Sequence, residues 1–321
     1  MTPAHHRDVP ALAPGEVAVG IDIGGTKTLA TAYTSLGAVA SARRRTLHGQ
    51  DGLLVSVDEV LAELAGALPA TAEFTLRAIG IGIPGVVSPM LGTVANGVNV
   101  GIGAEALPLA GLVAELTGVP VHLENDVAAA TLGAAHALGV GDDVALISLG
   151  TGLAAGMVLD GVPRTGSRGS AGEIGHIPYR EDGPLCPCGQ HGCLELYASG
   201  RALAGMWDTD PATRPVTDLL RSAHEGDPRA RTVLDQWMGA VAHAVTLVGL
   251  GVDVAAILIG GGVSEAGQPF LEELQDTLRS RAHDSGFLTQ MDLASRLVLV
   301  PPPDLEVATL GACLAALRSP G

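Results

Sequence analysis

Aromatic residues are scarce in this chain of 321 residues, because phenylalanine, tryptophan and tyrosine together make up only 2% of it. Lysine is almost absent: of the 18 lysine and arginine residues, only Lys27 is a lysine. The 34 acidic residues give a formal net charge of −16. Such a charge repels nucleic acids and anionic membrane surfaces, so neither is expected as a partner.

No secretory signal is expected, because the opening residues show no basic segment followed by an apolar run. The most apolar window, residues 240–259, contains a histidine, two glycines and an aspartate. It is typical of a buried helix followed by a buried strand rather than of a membrane span. Since 47% of the residues are hydrophobic, the chain can build one large or two medium α/β domains. We expect a soluble, cytoplasmic protein.

A strand–turn–strand pattern surrounds the single lysine. Apolar alternation in residues 17–21 predicts one strand, and residues 29–33 predict the next. The turn between them contains Asp22, Gly24, Gly25, Thr26 and Lys27. Glycines let backbone N–H groups approach a phosphate closely, and a carboxylate at the end of a strand suits Mg²⁺. The pattern therefore predicts a phosphate-binding turn, although taken alone it is also typical of an ordinary hairpin.

The same pattern recurs at residues 144–158, where Gly150, Thr151 and Gly152 separate two predicted strands. Two such turns on related sheets are typical of a clamp for a nucleotide. A third glycine-rich turn, which includes Gly261 and Gly262, directly follows another short predicted strand. Glycine triplets of this kind resemble nucleotide-binding loops, but their specificity is low.

Predicted strands and helices alternate along the whole chain, which indicates a mixed or parallel sheet with helices on its faces. Further predicted strands cover residues 37–45, 78–83, 119–123, 143–149, 153–159, 256–259 and 297–300. The predicted helices cover residues 53–68, 107–116, 127–138, 194–207, 229–250, 269–283 and 305–317.

Three of the four cysteines, Cys186, Cys188 and Cys193, lie within eight residues of one another. This spacing suits a metal site better than a disulfide framework. Zn²⁺ takes four sulfur or imidazole ligands in a tetrahedron, so a histidine is needed to complete the set. His176 and His191 compete for this place. We favour His176, because a single glycine separates His191 from Cys193 and makes joint ligation sterically awkward.

Glu124, Asn125 and Asp126 stand where a predicted strand passes into a helix, the usual place for ligands in α/β folds. Asp126 is either simply the N-cap of that helix or the carboxylate that accepts a proton from an attacking hydroxyl in phosphoryl transfer. Glu173 and Glu195 flank the cysteine cluster on its two sides. Each is typical of a solvated carboxylate, but on a metal-ordered loop both could accept hydrogen bonds from a polyol.

Five segments in this order resemble the signature set of the ROK family of repressors, open-reading-frame proteins and sugar kinases. They are DIGGTK from Asp22, END from Glu124, LGTG from Leu149, GEIGH from Gly172 and CPCGQHGCLE from Cys186. The resemblance implies the actin-like ATPase fold, which is ribonuclease H-like and has two α/β domains around a cleft. The expected domains are residues 1–124 with a returning helix at 303–321, and residues 125–302.

The resemblance also implies roles for individual residues, with Asp126 as the catalytic base. It implies sugar contacts at Asn99, Asn125, Asp126, Glu173, His176 and Glu195. It implies zinc ligands at His176, Cys186, Cys188 and Cys193. It implies that the ATP phosphates are held at Gly25, Thr26, Thr151 and Gly152, with the nucleoside near Gly261 and Gly262. To these nucleotide contacts the turn chemistry adds Asp22, Gly24 and Lys27.

Several positions depart from the family pattern. Val127 and Ala129 stand where family kinases have alanine and asparagine. Ala154 and Ala155 stand where these kinases have glycines. The loop around Asn99 keeps the asparagine but lacks the usual tryptophan. These departures do not affect Asp126, the implied base, but they make it harder to identify the sugar from the family pattern.

We therefore predict a kinase that uses ATP and Mg²⁺, contains a structural Zn²⁺ and phosphorylates the 6-hydroxyl of a glucose-like hexose. N-acetylated hexosamines, fructose and allose are alternative substrates. A non-catalytic sugar-binding or regulatory protein is the alternative from a different class, although the acidic surface opposes the DNA binding of a repressor. A homodimer or homotetramer is the expected assembly.

Overall fold

The computed structural model describes residues 9, 12–69, 74–210, 212–301 and 306–318. Their strands are β1 (Glu16–Ile23), β2 (Lys27–Thr34), β3 (Gly37–Arg45), β4 (Thr75–Ile83), β5 (Val86–Ser88), β6 (Thr93–Ala95), β7 (Val121–Asn125), β8 (Val144–Leu149), β9 (Leu153–Leu159), β10 (Val162–Pro163), β11 (Ala256–Gly260) and β12 (Leu297–Leu299). Their α-helices are α1 (Gly49–Ala67), α2 (Leu109–Thr117), α3 (Asp126–Leu138), α4 (Glu195–Ala198), α5 (Gly200–Met206), α6 (Pro215–His224), α7 (Pro228–Val252), α8 (Gln268–Ala282), α9 (Gly286–Met291) and α10 (Val307–Arg318).

The chain forms two compact units. The first contains the described residues of Met1–Asp142, Gly156–Ala171 and Leu305–Gly321, and the second contains those of Asp143–Ala155 and Gly172–Asp304. The first break in this division falls after Asp142, because α3 packs against α10 within the first unit. The expected domain boundary after residue 124 stays a prediction.

The first unit is built on a five-stranded sheet with the order β3-β2-β1-β4-β7. Strands β1, β4 and β7 are parallel, whereas β2 and β3 are antiparallel to their neighbours. Side chains alternate between the two faces of a strand. Val19 and Ile21 of β1 accordingly join a core with α1 and α2, whereas Ala18 joins a second core with α3 and α10.

Glycines let α10 approach its neighbours at backbone distance. A Cβ atom built on Gly20 of β1 or on Gly80 of β4 would lie 1.8 Å from a carbonyl oxygen of α10. Where α3 crosses α10, a Cβ atom on Gly133 would lie 1.9 Å from a carbonyl oxygen of α10. One on Gly311 would lie 1.7 Å from the carbonyl oxygen of Ala129. A side chain at any of these positions would have to displace a backbone.

The second sheet has the order β10-β9-β8-β11-β12, in which β8, β11 and β12 are parallel. Helix α7 is long and apolar enough to cross a membrane by length and composition alone, but 56% of its most apolar window is buried in the structure, as in a core helix. Helix α7 and the fully buried β11 confirm the prediction of a buried helix followed by a buried strand in residues 240–259.

Some predicted elements differ from the structure. The single helix predicted over residues 194–207 is wrong, because extended backbone at Ser199 separates α4 from α5. The Ser199 hydroxyl caps α5 by accepting the backbone N–H of Ala202 at 3.1 Å. Helices α6 and α9 and the β5–β6 hairpin have no counterpart among the predicted elements. The start of the last predicted helix, residue 305, lies outside the described residues.

Candidate active site

The carboxyl ends of β1, β4 and β7 meet at one edge of the first sheet, because these strands are parallel. Their register aligns Asp22 with Gly82, and Gly82 with Glu124. A Cβ atom built on Gly82 would lie 3.6 Å from the Cα atom of Asp126, an ordinary van der Waals distance, so Gly82 lies directly beside Asp126. The structure thus brings the predicted site residues Asp22, Asn125 and Asp126 to one edge of the sheet.

Helix α3 begins at Asp126, and Asn125 is its N-cap. The Asn125 side-chain oxygen accepts hydrogen bonds from the backbone N–H groups of Val127 at 3.0 Å and Ala128 at 3.2 Å. The Asn125 amide nitrogen donates to the carbonyl oxygen of Gly85 at 3.3 Å. The alternative in which Asp126 is the N-cap is therefore wrong, and Asn125 has a structural task besides its predicted sugar contact.

The electrostatics of this edge favour a cation. Burial, with the nearby negative charge of Asp126 as a second cause, raises the pKa of Asp22 to about 6, while Lys27 opposes this shift. Glu124 is 3% exposed, and its carboxylate accepts the backbone N–H of Asn125 at 3.0 Å. Mg²⁺ is commonly held by one or two carboxylates together with water and phosphate oxygens. The Asp22 and Asp126 carboxylates are donors of that type, so they fit Mg²⁺.

The first phosphate turn, residues 24–27, joins β1 to β2. It is closed by a hydrogen bond from the Gly24 N–H to the Lys27 carbonyl oxygen at 2.9 Å. Thr46, at the end of β3, holds the turn from one side. Its hydroxyl donates to the Gly24 carbonyl oxygen at 2.7 Å, and its N–H donates to the Thr26 carbonyl oxygen at 3.1 Å. The conformation of the turn is therefore fixed by hydrogen bonds from Thr46 as well as by its own closing hydrogen bond.

Asn99, a predicted sugar contact, lies beside this turn in the 3₁₀ helix Val98–Val100. A Cβ atom built on Gly25 would lie 2.9 Å from the Asn99 carbonyl oxygen. The structure thus brings the loop predicted to contact sugar directly against the loop predicted to contact phosphate.

A cavity of about 520 Å³ in the second unit brings the two other glycine-rich turns together. Gly150, Thr151 and Gly262 line it. Gly261 has a φ of +80°, and a Cβ atom on it would lie 2.4 Å from the Leu149 carbonyl oxygen, so a glycine is required for this close approach. The size and mainly apolar lining of this cavity suit the base and ribose of a nucleotide.

Two arginines that the sequence analysis missed, Arg201 and Arg214, line the same cavity. The N–H of Gly200 donates to the Gly150 carbonyl oxygen at 2.8 Å, which places Arg201 next to the second turn. Arg214 forms an ion pair with Glu265. The only signal for Arg201 in the sequence is its position shortly after the cysteine cluster.

Glu195, the first residue of α4, is tied to the second phosphate turn. Its carboxylate accepts the N–H of Leu153 at 3.0 Å. A Cβ atom built on Gly152 would lie 2.4 Å from the same carboxylate. The predicted sugar residue Glu195 and the predicted phosphate residue Gly152 are therefore in direct contact.

The predicted metal ligands His176, Cys186, Cys188 and Cys193 form one cluster, in which a ligand atom of each lies within 4.8 Å of all the others. Cys186 Sγ lies 3.8 Å from His176 Nδ1, and Cys188 Sγ lies 3.5 Å from Cys193 Sγ. The bond lengths of zinc to sulfur and to imidazole nitrogen give a tetrahedron with edges of about 3.5 to 3.8 Å. The cluster therefore fits Zn²⁺.

His191 lies outside this cluster, since its Nδ1 is 3.0 Å from the Gly183 carbonyl oxygen. His176 points its other ring nitrogen, Nε2, toward the Glu173 carboxylate at 3.9 Å. A metal held through His176 Nδ1 would therefore orient both His176 and Glu173.

The thiols differ in acidity. A hydrogen bond from the Gln190 backbone lowers the pKa of Cys188 to about 6, whereas burial raises the pKa of Cys193 to about 12. Because thiolates bind metals, a bound cation would draw the proton from the buried Cys193.

The departure assigned to Ala129 is wrong by one position: counted from Glu124, the asparagine of the family pattern falls at Ala128, and Ala129 coincides with the alanine of the pattern. Ala129 is fully buried, and a Cβ atom on Gly82 would lie 3.4 Å from its own Cβ atom. Its carbonyl oxygen lies against Gly311 of α10. Ala129 therefore belongs to the core between β4 and α10, directly beneath the proposed base.

The two strand–turn–strand segments and the α/β architecture define a protein of the actin-like ATPase fold. The solved ROK family glucokinase from Streptomyces griseus, in complex with glucose and AMPPNP, superimposes with a TM-score of 0.73 at 28% identity, covering 94% of this chain and 100% of that chain.

The ROK family profile matches residues 18–296, and this chain belongs to that family. The N-acetylmannosamine kinase of Haemophilus influenzae (strain PittGG) is 31% identical over 267 residues, which cover 80% of this chain and 85% of that protein. The glucokinase of Halalkalibacterium halodurans is 31% identical over 290 residues, which cover 82% and 86%. The prediction of a ROK sugar kinase is confirmed at the level of class.

Proposed function

We propose that this ROK kinase transfers the γ-phosphoryl group of ATP to the 6-hydroxyl of a glucose-like hexose, with Asp126 as the general base. The observation that carries the proposal is the position of Asp126. It begins α3 at the carboxyl edge of the first sheet, where its charge acts on Asp22 and where it lies beside Gly82.

The proposed reaction uses this edge as follows. Phosphoryl transfer depends mainly on positioning and on the stabilisation of negative charge. Asp126 accepts the proton of the attacking hydroxyl, which makes the oxygen a better nucleophile. Mg²⁺ near Asp22 would neutralise charge on the phosphates, and Lys27 adds a compact positive charge at the first turn.

The remaining nucleotide and sugar contacts follow from the family resemblance. We propose that Gly24, Gly25, Thr26, Thr151 and Gly152 hold phosphates through backbone N–H groups and hydroxyls. Gly261 and Gly262 would contact the nucleoside, which the nearby cavity supports. The proposed sugar contacts are Asn99, Asn125, Asp126, Glu173, His176 and Glu195. A structural Zn²⁺ on His176, Cys186, Cys188 and Cys193 would order the segment that carries Glu173 and Glu195.

A substrate panel tests the proposal most directly. Glucose, N-acetylmannosamine, fructose and allose are each incubated with ATP and Mg²⁺, and ADP release is measured with a coupled assay. We expect the highest kcat/KM with glucose. The analogue 6-deoxyglucose should inhibit without being phosphorylated. Higher kcat/KM with N-acetylmannosamine would contradict the proposed sugar, and sugar binding without ADP release would indicate the non-catalytic alternative.

The base is tested with Asp126→Asn, which keeps the size of the side chain and removes the proton acceptor. Turnover should fall by about 10²- to 10⁴-fold, the usual effect of losing a general base. Asp58→Asn, an exposed aspartate on α1 of the same unit, is the matched control and should retain wild-type turnover. Near-normal turnover in Asp126→Asn would contradict the assignment. The cytoplasmic location and the dimeric or tetrameric assembly stay predictions.

A further inference from the structure

The imidazole of His48 contacts the first phosphate turn. His48 directly precedes α1, but its side chain makes no capping hydrogen bond to that helix. Its Nε2 lies 2.7 Å from the carbonyl oxygen of Gly25. Because a carbonyl oxygen can only accept, Nε2 carries the hydrogen and donates it. The ring therefore fixes a central residue of the turn.

The same residue of the turn lies against the loop that carries Asn99. A Cβ atom built on Gly25 would lie 2.9 Å from the Asn99 carbonyl oxygen and 3.5 Å from the Asn99 Cβ atom. Gly25 is thus held between two partners, with the His48 ring on its carbonyl group and the backbone of Asn99 at its Cα atom.

His48 also contacts the Asn99 loop itself. Gly101, which ends the 3₁₀ helix of that loop, has a φ of +77°. A Cβ atom built on Gly101 would lie 3.0 Å from the Cβ atom of His48 and 2.8 Å from the nitrogen of Gly49. One residue therefore contacts both the phosphate turn and the sugar loop, and all of these contacts lie within the first unit.

We propose that His48 is a positioning residue that couples sugar binding to nucleotide binding. This inference rests on the proposed function, because it takes residues 24–27 as a phosphate site and Asn99 as a sugar contact. A sugar on Asn99 fixes the loop that ends at Gly101. Through His48 and Gly25 the fixed loop holds the phosphate turn in one conformation, and by linkage the nucleotide favours the sugar equally.

The loss of the His48 contact can be distinguished from unfolding of the phosphate turn, because other residues also hold this turn. Thr46 anchors Gly24 and Thr26 through two hydrogen bonds that do not involve His48. The side chain of His48 is exposed and leaves no cavity when it is shortened. Removal of the ring should therefore free Gly25 without unfolding the turn.

The test uses the whole chain and isothermal titration with Mg²⁺ and AMPPNP, with and without a saturating hexose chosen as the best substrate of the panel. We expect AMPPNP to bind the wild-type chain more tightly when the sugar is present. His48→Ala should weaken AMPPNP binding to the sugar-saturated chain by about two- to tenfold, the range of one net hydrogen bond, and should remove most of the sugar dependence. Sugar affinity without nucleotide should change little.

Two further variants separate positioning from a general structural effect. His48→Gln places an amide N–H near the position of Nε2 and should restore most of the coupling. His283→Ala removes an exposed histidine at the end of α8 in the second unit, and it should bind both ligands as the wild type does. In the kinetic assay His48→Ala should raise the KM for ATP more than it lowers kcat.

The inference is overturned if His48→Ala retains wild-type AMPPNP affinity and wild-type sugar dependence. It is also overturned if both ligands weaken equally while the melting temperature falls, because His48 would then be a structural residue. A wild-type chain that binds AMPPNP but phosphorylates no hexose contradicts the proposed function alone. In that case AMPPNP titrations with and without a hexose that binds but is not phosphorylated still decide whether His48 carries the sugar dependence.

Discussion

Replacement of Asn125 by alanine tests how α3 holds the proposed base. The change removes the two hydrogen bonds that cap α3 and the one that the Asn125 amide donates to the Gly85 carbonyl oxygen. Loss of an asparagine N-cap costs about 0.5 to 2 kcal/mol. Loss of a further hydrogen bond costs about 0.5 to 1.5 kcal/mol. The free energy of unfolding should therefore fall by about 1 to 3.5 kcal/mol.

Two related variants divide this loss between its causes. Asn125→Ser keeps a cap acceptor but cannot reach Gly85, so it should lose only the smaller part of the stability. Asn125→Asp keeps the cap and the shape but turns a carboxylate toward a carbonyl oxygen, so the Gly85 contact becomes repulsive. Asp126 directly follows the cap, and kcat should therefore fall most in Asn125→Ala and least in Asn125→Ser.

Urea unfolding followed by circular dichroism gives the stabilities, and the coupled ADP assay at saturating hexose gives kcat. The reasoning is refuted if Asn125→Ala is as stable as the wild type, or if Asn125→Ser is as unstable as Asn125→Ala. A loss of sugar affinity in Asn125→Ser without a loss of stability would instead measure the predicted sugar contact of Asn125.

Three other predictions concern separate parts of the molecule. The fold raises the pKa of Asp22 from 3.8 to about 6, which means that the folded chain binds this proton more tightly than the unfolded chain does. The free energy of unfolding should therefore fall by up to about 3 kcal/mol as the pH rises from 3.8 to about 6. In urea titrations without ligands, Asp22→Asn should lose this part of the pH dependence. Gly311→Ala places a Cβ atom 1.7 Å from a backbone oxygen, so it should lower the free energy of unfolding by about 3 kcal/mol or more and lower the melting temperature. The control Gly111→Ala places a Cβ atom that meets nothing within 4 Å, so it should not lower the melting temperature. Cys188→Ser should lose zinc in elemental analysis, and His191→Ala should keep about one zinc per chain.

The sequence was most informative where the signal is local. The turn at Gly24 and Gly25 was predicted because glycine chemistry and the alternation of flanking residues are visible in adjacent positions. The bounds of β3 and β9 agree with their predicted ranges. The metal cluster was equally accessible from the sequence, since three of its members lie in one short segment, and His176, which the sequence favoured over His191, lies in the cluster of the structure.

Contacts between distant segments had no such signal. Glu195 meets Leu153 across 42 positions, and His48 meets Gly25 across 23 positions. Neither pair shows a pattern in the chain, because the geometry of a tertiary fold brings them together. The helix break at Ser199 was missed for a different reason: apolar residues continue on both sides of it, although the Ser199–Gly200 dipeptide is a turn signal and Ser199 caps α5.

The position of α10 in the sequence delays the completion of the first unit during translation. Strands β1 and β4 leave the ribosome early, but the helix that covers their glycine-bearing face begins only at Val307. At ordinary rates of translation, about 10 to 45 s separate the end of β4 from the start of α10. All residues of the second unit are synthesised in that interval. The glycine-bearing face of the nascent first unit therefore lacks α10 during this interval, and in this period we expect chaperones to bind it.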